Sequence, residues 1–139
     1  MASVTDGDTI RLRSGERVRL VQVDAPEARG DVECWGPQAS AAMRRLLRPG
    51  DRVTLERDPA LDGVDGYGRL LRYVTSPDGT LLNTALVASG DAVPYFFRGD
   101  RGRHADRLLA AARSARSDRL GLWGACRRAR LTPDLGYRE

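Results

Sequence analysis

The sequence predicts an α+β fold: a small, mainly β barrel of five strands with about three helices packed against it. Three observations carry this. Short segments rich in β-branched residues alternate apolar and polar positions before residue 24, and again over 52–57 and 69–75. A helical pattern follows Pro37. Another, around Leu108 to Ala115, comes late in the chain. At 139 residues, 41% hydrophobic and 30% charged, the chain is most simply one domain with its own core. Residues 1–126 are expected to form it. Residues 127–139, basic and containing Pro133, are expected to be a loosely ordered tail.

The elements follow in order. A first strand is cut short or begins near Met1. Thr9 to Arg13 alternates as a half-buried strand, and Ser14-Gly15 turns it. Val18 to Val23 is the antiparallel return, and it runs into Asp24-Ala25-Pro26-Glu27, where proline ends the ladder. Residues 29–36 form a loop. Pro37 suits a first helical turn, and Ala39, Ala42, Met43, Leu46 and Leu47 fall at helical spacing up to Pro49-Gly50. Residues 52–57 are a strand with Val53 and Leu55 inward. Residues 58–68 are a Pro-, Gly- and Asp-containing loop, and 69–75 a strand ended by Pro77-Asp78-Gly79. Asn83 is placed to cap a short helix that Gly90 stops. Residues 92–97 are apolar and aromatic, and 98–103 a charged loop. Leu108, Leu109, Ala112 and Ala115 mark a last amphipathic helix, stopped by Leu120-Gly121. Short antiparallel strands with a helix inserted after the third fit the five-stranded OB-type barrel.

The net charge is +4 and the basic residues are all arginine, with no lysine. A basic balance favours polyanions, and arginine grips phosphate with a planar fork. No apolar run approaches the roughly 20 residues needed to span a bilayer, and no signal segment follows Met1. Cys34 and Cys126 stand in no CxxC and beside no histidine, which argues against zinc. They are two buried free thiols or one long-range disulfide. The disulfide is the preferred reading, and it points to a secreted or cell-surface protein.

Three clusters carry chemistry. Asp6-Gly7-Asp8-Thr9 is a turn signal whose carboxylates suit a hard cation. Arg19, Asp24 and Glu27 lie on or just past one strand. On a straight strand Arg19 and Asp24 would stand roughly 16 Å apart, at about 3.3 Å per residue, so they share a site only if the chain bends. Asp65-Gly66-Tyr67-Gly68-Arg69 is a flexible turn that lets Arg69 swing onto a phosphate beside Tyr67. Each cluster alone is weak, and reads more readily as an ordinary turn, a strand exit or a solvated face.

Together these motifs, with Gly36-Pro37-Gln38-Ala39, Leu82 to Val87 and Gly121-Leu122-Trp123, resemble the thermonuclease (staphylococcal nuclease-like) family over residues 4 to 126. The resemblance implies an OB-fold and calcium-dependent hydrolysis of DNA and RNA with little sequence preference, leaving 3′-phosphate ends. It implies Asp8, Asp24 and the backbone carbonyl of Ala25 as Ca2+ ligands, with Asp6 behind them. Ala25 replaces the threonine of the family's best-known member, a change that spares the carbonyl. Arg19 and Arg69 match the phosphate-holding arginines, and Glu27 the residue that activates or orients water. Tyr67 matches a nucleotide-side tyrosine, and Tyr95 a base-contacting one with its register uncertain by about one residue. Core packing is an equally good account of two of Tyr95, Phe96 and Phe97. His104 matches a structural histidine near Glu56, so no histidine base is expected. The implied partners are single-stranded or locally opened DNA and RNA, with no membrane, for a monomeric protein. A non-catalytic OB-fold nucleic-acid-binding module is the alternative, though such a module should lack some of Asp8, Arg19, Asp24, Glu27 and Arg69. A structural module of a larger surface protein is the third reading.

Overall fold

The computed structural model describes every residue, Met1–Glu139. Seven short strands and four helices alternate along it. They are β1 Ser3–Asp6, β2 Thr9–Arg11, β3 Arg17–Leu20, β4 Val23–Asp24, α1 Gly36–Leu46, β5 Thr54–Glu56, β6 Leu70–Thr75, α2 Leu82–Ala88, β7 Val93–Pro94, α3 Ala105–Ser117 and α4 Leu122–Ala125. Five of the strands form one sheet in the order β1-β2-β3-β6-β5, while β4 and β7 make a separate two-stranded ladder. The architecture is the expected α+β fold of OB type.

The sheet departs from the antiparallel barrel in two respects. β3 and β6 run parallel, Val18 opposite Leu70 and Leu20 opposite Arg72. β4, α1 and β5 intervene between them, a crossover long enough to bring the chain back in the same direction. No ladder joins β1 to β5. Instead the Gly50 N–H donates to the Met1 carbonyl at 2.8 Å, which ties the β1 edge to the lead into β5.

The core lies between the sheet and the helices. Ile10, Val18, Leu20, Met43, Val74, Leu82, Leu86, Phe96 and Leu108 are fully buried there. β3 shows why the sequence folds this way. Val18 and Leu20 point inward while Arg17 and Arg19 take the other face, the period-two pattern of a strand. α1 begins where Gly36 leaves no room for a side chain, since a Cβ would stand 2.0 Å from the Glu27 carbonyl oxygen. Arg44 and Arg45 in its last turn favour the negative helix end.

Asn83 is not the cap of α2. It is fully buried within the helix. Its Oδ1 accepts the Val74 N–H at 2.9 Å and its Nδ2 donates to the Val21 carbonyl at 2.8 Å. It therefore clasps β6 to the chain just after β3. α4 is an extra turn of helix that its four residues were too few to announce.

The segment expected to be loose is packed. Leu131 lies against the main core. Tyr137, 1% exposed, joins Val93, Leu122 and Cys126 in a second cluster. Arg130 and Arg138 pair across a strap, and the Phe96 N–H donates to the Pro133 carbonyl at 2.7 Å. Basic composition pointed to a solvated tail, but one buried aromatic and its main-chain hydrogen bonds outweigh it. Cys34 and Cys126 form a disulfide that roots this strap beside the loop before α1.

Candidate active site

The site begins with a bend. β3 ends at Leu20, and Gln22 then adopts a left-handed backbone, φ 68°. This is an uncommon conformation for a residue with a side chain. Gln22 is held there from outside: its amide nitrogen, Nε2, donates to the Asp100 carbonyl at 3.0 Å, and its Oε1 accepts the Gly102 N–H at 2.8 Å. The chain doubles back into β4, so Arg19 and Asp24 meet. Arg19 Nη2 stands 3.2 Å from Asp24 Oδ1 and 3.5 Å from Asp8 Oδ2. Its Nη1 donates to the carbonyls of Leu20 at 2.8 Å and Val23 at 2.6 Å. The guanidinium is thus locked by backbone on one side and carboxylates on the other.

Asp8 comes from the turn between β1 and β2. Gly7 lets that turn lie flat on the protein: a Cβ there would stand 2.8 Å from the Ala25 Cβ and 2.9 Å from the Ala39 Cβ. Asp8 is buried. Its Oδ2 accepts the Ala25 N–H at 2.8 Å, and its Oδ1 lies 3.0 Å from the Thr9 hydroxyl. Asp6 Oδ1 in turn accepts the Asp8 N–H at 3.1 Å.

Four carboxylates crowd one buried arginine. Burial, then Asp8, pushes Asp6 up to about 7. Burial pushes Asp24 up to about 6, with Arg19 opposing and Asp8 adding. Burial works on Asp8 in the same direction, but Arg19 and the hydrogen bonds from its neighbours hold it below the usual carboxylate range. Burial and then Asp8 and Glu33 raise Glu27, while Arg19 and Arg69 oppose the rise. Negative charge here exceeds what Arg19 can neutralise. The donors are all oxygen, a set that fits a hard cation rather than zinc. No three acidic, histidine or cysteine side chains converge on one point, so such an ion would complete its shell from carbonyl, water or substrate oxygens.

Arg19 also lines an adjoining cavity of about 690 Å3, with Tyr67, Arg69, Tyr95, Phe97 and Arg98. Asp65 shapes its rim. One carboxylate oxygen accepts the Tyr67 and Arg69 N–H groups at 2.9 Å each, and the other takes Arg69 Nε at 2.7 Å. Engaging Nε leaves the two terminal nitrogens of Arg69 to face a ligand. The Arg69 guanidinium stands 5.3 Å from the Tyr67 ring, which is 76% exposed.

The fold therefore gathers Asp6, Asp8, Arg19, Asp24 and Glu27 into one cluster. It sets Tyr67, Arg69 and Tyr95 around a cavity that shares Arg19. Of the aromatic trio, only Phe96 is core; Phe97 is half-exposed on the cavity and packs edge-on to Tyr95. His104 packs edge-on against Tyr73 at 4.7 Å, and Glu56, close enough to act on its charge, pairs with Arg103. The sequence assigns Gln22 no role, places Asp65 only as the start of the Arg69 turn, and offers Phe97 only as a neighbour of Tyr95. Asp65 was visible as an acid four residues before an arginine. Gln22 carried no signal, because its role depends on a distant loop.

Comparison with known proteins now bears on this arrangement. Residues 17–125 match the family described as staphylococcal nuclease homologue. The chain is 35% identical over 133 residues to Endonuclease YhcR of Bacillus subtilis, covering 86% of this chain and 11% of that protein. It is 36% identical over 124 residues to an uncharacterized endonuclease of Escherichia coli O157:H7, covering 86% of this chain and 72% of that one. It is also 37% identical over 133 residues to the succinoglycan biosynthesis protein ExoI of Rhizobium meliloti, covering 89% and 63%. The match spans most of this chain and takes in Arg19, Asp24, Glu27 and Arg69, and on that ground the chain belongs to the staphylococcal nuclease homologue family.

Proposed function

We propose that this domain is a calcium-dependent nuclease that hydrolyses phosphodiester bonds of DNA and RNA with little sequence preference. One observation carries the reading above the others. Arg19 belongs at once to an over-charged carboxylate cluster and to a cavity walled by a second arginine and exposed aromatic rings. Endonuclease names among the relatives support it.

Asp8, Asp24 and the Ala25 carbonyl would hold Ca2+, which when bound supplies positive charge against the phosphoryl oxygens. Asp6 stands behind them and orients the Asp8 turn. Arg19 and Arg69 donate to the non-bridging oxygens, where charge grows during attack. Neither can act as a base, because arginine keeps its proton. Glu27 is the group that receives a proton from the attacking water, or orients that water. Its raised pKa brings it closer to neutral pH, the direction that suits a general base. Water oxygen bonds to phosphorus, its proton leaves towards Glu27, and the bond to the 5′-oxygen breaks. That oxygen takes a proton from solvent, and the other product keeps a 3′-phosphate. Tyr67 and Tyr95, with Phe97, offer stacking faces that accept any unpaired base. Single-stranded or locally opened nucleic acid is therefore the substrate class, bound by a monomer. The Cys34–Cys126 bridge supports an extracytoplasmic location. No helix is long and apolar enough to cross a membrane.

The test is cleavage of single-stranded DNA at mildly alkaline pH, with calcium and with a chelator, beside Glu27→Gln. Cleavage that needs calcium and falls about 10²–10⁴-fold in the variant is the expected result. A folded wild-type protein that binds DNA without cutting it overturns the nuclease reading and leaves a binding module.

A further inference from the structure

Asp24 has a second partner that no part of the proposed chemistry uses. Its Oδ1 faces Arg19, while its Oδ2 accepts the main-chain N–H of Tyr137 at 2.7 Å, across 113 residues of sequence. Resting on the calcium reading above, we propose that residues 130–138 are a strap belonging to the site, and that Tyr137 is a positioning residue. Its N–H fixes the Asp24 carboxylate so that Oδ1 is presented to Arg19 and to the cation.

The strap is built for that contact. Gly136 has φ 75°, and a Cβ there would stand 2.6 Å from Asp24 Oδ2, so only glycine permits this approach. The Tyr137 ring is buried among Val93, Leu122 and Cys126. Its hydroxyl lies 2.6 Å from Glu139 Oε1 and 3.2 Å from the Cys34 carbonyl oxygen. Glu139 Oε1 also accepts the Cys34 N–H at 3.1 Å. Arg130 N–H donates to the Arg138 carbonyl at 2.9 Å and closes the strap on itself. A left-handed glycine, a buried tyrosine and the disulfide thus converge on one hydrogen bond. A carboxylate pinned at both oxygens cannot turn, so its ordering is settled when the chain folds and not when the ion arrives. Partners standing behind a metal ligand set its orientation in this way, and losing one typically weakens metal binding about 10–100-fold.

The experiment is calorimetric titration of the full chain with calcium alone, in wild type, Gly136→Ala and Tyr137→Phe. Gly136→Ala drives the strap off Asp24 and is expected to weaken calcium binding at least about tenfold. Its kcat should fall further than its KM for DNA rises. Tyr137→Phe keeps the N–H but loses the hydroxyl's contacts to Glu139 and Cys34, and is expected to weaken calcium binding less than Gly136→Ala does. Circular dichroism without calcium checks that both variants are folded. In wild type, the Tyr137 amide is expected to exchange slowly with solvent both with and without calcium, a readout independent of any variant. Equal calcium binding by folded Gly136→Ala, or fast exchange at Tyr137, overturns the strap's role. Tighter binding by that variant overturns it too, and makes the strap an obstruction. Absence of calcium binding in wild type is a different failure: it removes the cation site itself, and the strap's role with it.

Discussion

Replacing Asn83 tests whether the bend that builds the site is clasped from behind. The side chain is fully buried and satisfies two buried main-chain groups, the Val74 N–H and the Val21 carbonyl. Asn83→Leu has nearly the same shape but serves neither. Each abandoned group costs about 1–3 kcal/mol, and leucine burial returns about 1.5–3 kcal/mol. The net loss is about 2 kcal/mol, which in a domain of this size lowers Tm by roughly 4–8 °C. Urea denaturation at constant m-value, with thermal unfolding beside it, measures this. Activity at a temperature where the variant is fully folded should fall as well, because Val21 leads directly into the Gln22 bend and Asp24. A loss below about 0.5 kcal/mol with unchanged activity would show that Val74 and Val21 find other partners, and would refute the clasp.

Three further outcomes are expected. Cys126→Ser should cost about 2–5 kcal/mol in denaturant unfolding, and reductant should destabilise the wild type but not the variant. Gly36→Ala places a Cβ 2.0 Å from the Glu27 carbonyl oxygen, so nuclease assay should show at least about a tenfold loss through displaced water positioning, in a protein whose circular dichroism is unchanged. Asp58 gives a pH dependence. Burial alone would raise it, but the Tyr73 hydroxyl and the N–H groups of Arg103 and Ala60 outweigh burial and hold it below the usual range. A carboxyl depressed in the folded state stabilises above its unfolded pKa, about 3.9, and that stability is lost as pH falls through the folded value. Asp58→Asn should therefore be less stable than wild type at pH 7, by about 1.5–3 kcal/mol, and the gap should close in strong acid.

Residues that act through local pattern were legible in the sequence. Val18 and Leu20 alternate with Arg17 and Arg19, and Pro37 opens α1, because periodicity and proline geometry are properties of neighbours along the chain. The charged members of the site were legible because their motifs are contiguous. What was not legible depends on distant partners. The turn at Gln22 needs Asp100 and Gly102, and Asn83 reads as a cap until β6 and Val21 lie on either side of it. The strap was misread for the same reason. Its arginines describe a solvated tail, and only the burial of Tyr137 against α4 and the disulfide reveals what orders it.

The bridge between Cys34 and Cys126, 92 positions apart, also closes most of the chain into a covalent ring. Asp8, Arg19, Asp24 and Glu27 lie outside that ring, and Tyr67, Arg69, Tyr95 and Phe97 lie within it. A protease that cuts the exposed 58–68 loop therefore opens the ring without parting the molecule. The carboxylate half and the Arg69 half stay tethered through sulfur. Two unrelated chemical insults, hydrolysis of a peptide bond and reduction of the bridge, must both occur before the halves can diffuse apart. For a protein that meets proteases, that property amounts to tolerance of a first cut.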